Sequence, residues 1–147
     1  MPLLKFDLVE GRDQQAIKAL LDAAHRAVVK ALGVPARDRF QIVYQHPAHE
    51  LIIQDTGLGL ERTDNIVVIS ITSTYRTDEQ KQKLYKALAD ELQRDCGIDP
   101  QDIMINLVNN SLSDWSLGCG EAHFLTGKLP KVKNETTRIN YRKLKLG

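Results

Sequence analysis

The chain opens on alternation. Leu4, Phe6 and Leu8 share one side of residues 3–8, the period-two pattern of a strand. Glu10-Gly11 ends it, and Arg12-Asp13-Gln14-Gln15 opens a helix. Along that helix Ile17, Leu20, Leu21, Ala24, Val28, Ala31 and Leu32 form one apolar face. Gly33 predicts its C-cap and Pro35 bars continuation. A second strand runs from about Arg39 to Gln45, with Phe40, Ile42 and Tyr44 on one side and Gln41 and Val43 on the other. Residues 46–64 are irregular, with Leu51-Ile52-Ile53 read as a short extra strand. Gly57 and Gly59 are turn residues, because they do not follow a strand and open a helix as a phosphate loop does.

The pattern then recurs. Ile66-Val67-Val68-Ile69-Ser70-Ile71-Thr72 is too apolar for a half-solvated surface and predicts a buried central strand. Thr77-Asp78-Glu79-Gln80 starts a helix whose core face is Leu84, Leu88 and Leu92 and which Gly97 ends. Ile103, Ile105 and Leu107 share one face of a strand over Asp102–Val108. Two β-α-β units, about 2–45 and 65–108, thus lie roughly 65 residues apart. They predict an α+β fold: a four-stranded mixed sheet with both helices on one face and parallel strands within each unit. The other sheet face would be bare, which predicts self-association.

Composition narrows the class. The chain has 147 residues, 42% hydrophobic and 27% charged, as a soluble globular domain does. Net charge of +1 and 5% aromatic content argue against nucleic acid or a membrane surface as partner. No apolar run is long enough to span a bilayer, and Asp7 and Glu10 interrupt any signal-peptide pattern. Cys96 and Cys119 stand alone, as free thiols of a reducing cytoplasm do. From Pro130 the character changes: Lys131, Lys133, Arg138, Arg142, Lys143 and Lys145 face a single acid, Glu135. Residues 1–129 are therefore read as the domain and 130–147 as a basic, mobile tail.

Pro2 directly follows the initiator Met, which is usually trimmed before so small a residue. Trimming exposes a secondary amine, which takes up or gives a proton or attacks a carbonyl. Taken alone the dipeptide is most simply just a chain start. Asp38 is equally explained as a capping acid, because Asp102 holds the matching place in the second unit. Arg76, alone, would most often be a solvated helix-entry residue. His46 and His49 lack a third ligand, His25 and His123 lack company, and Ser70 and Ser73 lack a His–acid pair, so no metal site or serine triad is expected.

An amino-terminal proline on a doubled β-α-β core resembles the tautomerase superfamily, and within it the malonate semialdehyde decarboxylase branch. The resemblance is carried by Pro2-Leu3-Leu4-Lys5-Phe6-Asp7, Gly33-Val34-Pro35, Asp38-Arg39-Phe40, Asp55-Thr56-Gly57-Leu58-Gly59, Arg76 with Glu79-Gln80-Lys81, Asp95-Cys96-Gly97-Ile98, and Asp114-Trp115 through Phe124-Leu125-Thr126-Gly127. It covers residues 2 to about 129. It implies a cofactor-independent homotrimer acting on a small carboxylate. Pro2 would be the catalytic amine, Asp38 an acid handling a proton or water, and Arg76 one of two arginines gripping the carboxylate. The second arginine falls on Thr74, with Tyr75 beside it as a possible supplement to the clamp. Trp115, Leu117, Phe124 and Leu129 match an apolar wall beside the proline.

The expectations that follow are decarboxylation of a small 3-oxo acid such as malonate semialdehyde, with hydratase side activity. Enol–keto tautomerisation of a 2-oxo acid is the alternative, and a non-catalytic trimeric binding protein the reading from a different class. Loss of one arginine leaves the protonation state of the amine open.

Overall fold

The computed structural model describes residues 1–129, so the basic tail lies outside the described residues. The elements are β1 (Pro2–Val9), α1 (Gln14–Leu32), β2 (Phe40–His46), β3 (Val67–Thr74), α2 (Asp78–Cys96), β4 (Ile103–Asn110) and a short α3 (His123–Thr126). The sheet order is β2-β1-β3-β4. β1 runs parallel to β2 and β3 parallel to β4, while β1 and β3 pair antiparallel at the centre. The fold is the α+β doubled unit with a mixed four-stranded sheet.

Alternation decides which face is buried. Leu4, Phe6 and Leu8 of β1 are in register with Ile71, Ile69 and Val67 of β3, and all six are buried. Leu20, Ala24 and Val28 of α1 and Leu84, Leu88 and Leu92 of α2 pack on them, so both helices cover one face. On β2 the core side is the Gln41–Val43 side, and Gln41 satisfies its amide by donating to the Leu21 carbonyl at 2.8 Å. Phe40, Ile42 and Tyr44 therefore point to the uncovered face, where Ile42, Tyr44, Met104 and Val108 are exposed. His46 and Asp7 pair across that face at 2.7 Å.

The helix ends follow the residues that flank them. The Asp13 side chain accepts from Ala16 N, and Thr77 and Gln80 form a reciprocal capping box. Gly33 and Gly97 close the C-termini with φ of 66° and 65°, a left-handed conformation that costs glycine nothing. Between the helices, Arg26 and Arg94 both reach Glu91, which is buried, and Asp95.

One expected element is absent. Leu51-Ile52-Ile53 is not a strand: a 3-10 turn at Ala48–Glu50 precedes it, and a turn follows in which Asp55 accepts from Leu58 N and Gly59 N. Held between two turns, the run finds no ladder partner, and Ile52 is 73% exposed.

Candidate active site

Strand directions gather the candidate residues at one end of the sheet. β1 and β2 start there and β3 and β4 finish there, which brings together Pro2, Asp38, Ser73, Thr74, Arg76 and Asn110. Pro2 is buried at the start of β1, opposite Ser73 in the ladder. Arg76 precedes the N-cap of α2 and is 9% exposed, and its Nε donates to Ser73 Oγ at 3.2 Å. The backbone N–H of Asp38 donates to the Pro35 carbonyl, and its Oδ1 is buried with no hydrogen-bond partner.

The charges at this end act on one another. The α-amine of Met1 is lowered from 8.0 to about 6, first by burial, next by the positive charge of Arg76, with the negative charge of Asp38 opposing both. The amine at the chain start thus feels burial first, and after it a cation and an anion that act in opposite directions.

The opposite end of the sheet shows the same arrangement closed on itself. Arg12 precedes the N-cap of α1 as Arg76 precedes that of α2, but its guanidinium donates to the Asn65 carbonyl at 3.0 Å and to Asn65 Oδ1 at 2.6 Å. Asp102 stands where Asp38 does, and accepts from Thr63 N at 2.7 Å and Thr63 Oγ1 at 2.5 Å. Its carboxylate is a structural clasp.

The remaining predicted residues divide. Thr74 is buried, in register with Asn110, and Asn110 Oδ1 accepts the Trp115 indole N–H at 2.8 Å, which anchors Trp115 at this end. Tyr75 is half-buried. Leu117, Phe124 and Leu129 belong to a segment tied mainly to itself. Leu117 N donates to His123 Nδ1, Lys128 pairs with Glu121, and α3 packs on the turn at Leu112–Asp114. Leu117 is 36% exposed. A groove of about 380 Å³ between α1 and α2, lined by residues such as Lys30, Lys83 and Lys86, contains none of these side chains.

Two participants at this end have no role in the sequence reading: Ser73, set aside there for want of a His–acid pair, and Asn110, not singled out at all. Ser73 carried a signal: it interrupts the core-facing series Val67, Ile69, Ile71 with a hydroxyl. Asn110 carried none, since its role depends on a partner five residues on. Among the described residues no group of three or more His, Cys, Asp or Glu is placed to hold a metal ion.

Known proteins resemble this chain over nearly all of its described length. A protein of Bacillus subtilis (strain 168) named "Probable tautomerase YrdN" is 57% identical over 129 residues, 88% of this chain and all of that one. A crystal structure of malonate semialdehyde decarboxylase superposes with a TM-score of 0.85 at 53% identity, covering 87% of this chain and 99% of that one. A symmetric trimer of fused 4-OT does so with a TM-score of 0.70 at 25% identity, covering 85% and 98%. Two families, each described as tautomerase enzyme, match residues 38–118 and 2–61. With the doubled fold and these matches together, the chain belongs to the tautomerase family.

Proposed function

We propose that, once Met1 is removed, the secondary amine of Pro2 works with Arg76 and Asp38 to decarboxylate a small 3-oxo acid of the malonate semialdehyde type. The observation that carries this reading is the convergence of Pro2, Arg76 and Asp38 at one sheet end, where Arg76 and Asp38 both act on the amine of the adjoining Met1. Arg76 grips the substrate carboxylate. The protonated amine polarises the carbonyl oxygen. The bond between the carboxylate carbon and its neighbouring methylene breaks, its electron pair forms an enolate, and carbon dioxide leaves. The enolate carbon then takes a proton, giving the aldehyde. Asp38, with an unpartnered oxygen, is suited to hold that proton or a water, and a positioned water is what hydratase side activity needs. Trp115, anchored at this end by Asn110, supplies an apolar surface, and Leu117, Phe124 and Leu129 would complete a wall that strengthens each charge by excluding water once their segment lies over Pro2. The resemblance to malonate semialdehyde decarboxylase, whose structure is described as a basis for decarboxylase and hydratase activities, supports this choice.

Enol–keto tautomerisation of a 2-oxo acid is favoured by a different observation. Burial and the positive charge of Arg76, which lower the Met1 amine, would favour the neutral form of an amine exposed at Pro2 as well, and a neutral amine is a base that moves a proton between oxygen and carbon. In either case the uncovered sheet face, with Ile42, Tyr44, Met104 and Val108, supports assembly as a homotrimer, as does the symmetric trimer of fused 4-OT.

Assay of the Met-trimmed protein with malonate semialdehyde and with phenylenolpyruvate separates the two. Turnover of the first, abolished in Pro2→Ala, supports decarboxylation, and turnover of the second alone supports tautomerisation. If neither reacts and Pro2→Ala changes nothing, the fold serves binding rather than catalysis.

A further inference from the structure

We infer that Ser73 is the positioning residue that sets the plane of the Arg76 guanidinium, and with it the direction in which a carboxylate is gripped; this rests on Arg76 being the carboxylate clamp proposed above. The core-facing side of β3 runs Val67, Ile69, Ile71 and then Ser73, and Ser73 is fully buried. At the matching place near the end of β1 the chain has Leu8, also fully buried. A hydroxyl in a leucine's position costs stability unless it is hydrogen-bonded. Its partner is Arg76 Nε at 3.2 Å.

That contact has directional consequences. A guanidinium is a rigid planar fork, so holding Nε fixes the orientation of the whole group. Ser73 is also the ladder partner of Pro2, so the residue that holds the fork faces the residue that carries the amine. With Thr74 where a second arginine would stand, one fork alone must meet the carboxylate in plane, and bidentate contact is lost if it swings. The other end of the sheet gives the contrast: there Arg12 is held by Asn65, and the core position is the apolar Leu8.

The test compares Ser73→Ala with Ser73→Thr, which keeps the acceptor. In Ser73→Ala, KM for the acid that turns over rises about tenfold with a smaller change in kcat, as loss of one hydrogen bond to a charged group allows. In Ser73→Thr, KM stays within about threefold of the parent. Proton NMR of the Arg76 Nε–H reports the contact without turnover: slow solvent exchange in the parent and in Ser73→Thr, fast exchange in Ser73→Ala. Malonate, titrated as an unreactive carboxylate, loses about tenfold in affinity in Ser73→Ala. Should Ser73→Ala fail to fold, Ser73→Cys, similar in size with a weaker acceptor, replaces it with the same expectations. Unchanged Nε–H exchange in the variant overturns the inference, and so does lost protection with KM and malonate affinity both unmoved. If the parent turns over neither substrate, the proposed reaction fails, and exchange and malonate affinity still decide the role of Ser73.

Discussion

Asp38 and Asp102 hold the same place in the two halves of the chain, yet only Asp102 is clasped: Thr63 donates to it from both its backbone N–H and its hydroxyl, while Asp38 Oδ1 is buried with no hydrogen-bond partner. The repeat thus offers one acid as structure and one as chemistry. Asp102→Ala should cost about 3 kcal/mol in urea unfolding, because it removes two hydrogen bonds to a charge and strands a backbone donor. Asp38→Asn should shift stability by no more than about 0.5 kcal/mol, since no bond is lost, and should lower turnover about a hundredfold. Equal destabilisation of both variants would remove the distinction.

The chain amine gives a pH dependence whose sign is fixed. Its folded-state pKa is about 6 against 8.0 in the unfolded chain, so between those values the unfolded state binds more protons. Stability of the chain that retains Met1 should therefore rise as pH increases from about 6 to 8. Amine titration followed by NMR should move upward in Arg76→Ala, which removes the lowering charge, and further downward in Asp38→Asn, which removes the raising one. Movement of both in the same direction would mean that the two charges do not act on the amine as placed here.

Much of this was legible because local and long-range signals agreed. The alternation at Leu4, Phe6 and Leu8, the repeat at Val67, Ile69 and Ile71, and glycines at the ends of both helices specify elements and core face together. Pro2, Asp38 and Arg76 come to one sheet end because parallel pairing within each unit and antiparallel pairing between units leave little freedom. The extra strand at Leu51-Ile52-Ile53 fails because the run is held between the 3-10 turn at Ala48–Glu50 and the turn capped by Asp55, although β2 is an edge strand of the sheet. The inward side of β2 was not decided by pattern alone, since Phe40, Ile42 and Tyr44 are the more apolar set and still face outward. Burying that set would serve a monomer; exposing it suits a chain that covers its sheet with another copy.

Gly97 at the end of α2 should be replaceable only at a cost. At φ of 65° a Cβ is strained, so Gly97→Ala should destabilise by about 1 kcal/mol in thermal or urea unfolding. Thr77→Ala at the other end loses the reciprocal box with Gln80 and should cost a similar amount, about 1 kcal/mol. Because Thr77 directly follows Arg76, its variant should also raise KM, whereas Gly97→Ala should leave KM unchanged. A KM effect from Gly97→Ala would show that helix stability alone governs the clamp.

Thr74→Arg tests the clamp and the amine together. The residue sits at the sheet end between Ser73 and Arg76, so a guanidinium placed there adds a second donor fork to the carboxylate. KM for the acid should fall about tenfold, the worth of a charge-assisted hydrogen bond. The same charge disfavours the protonated amine and should move its titration below that of the parent. The response of kcat at pH 7 then separates the two chemistries. If the amine works as a cation polarising a carbonyl, kcat falls while KM improves, because a smaller fraction of the enzyme carries the proton. If it works as a neutral base, kcat holds or rises. Were KM to stay unchanged with the variant folded, Thr74 would lie out of reach of the substrate carboxylate, and the single guanidinium of Arg76 would be the whole clamp.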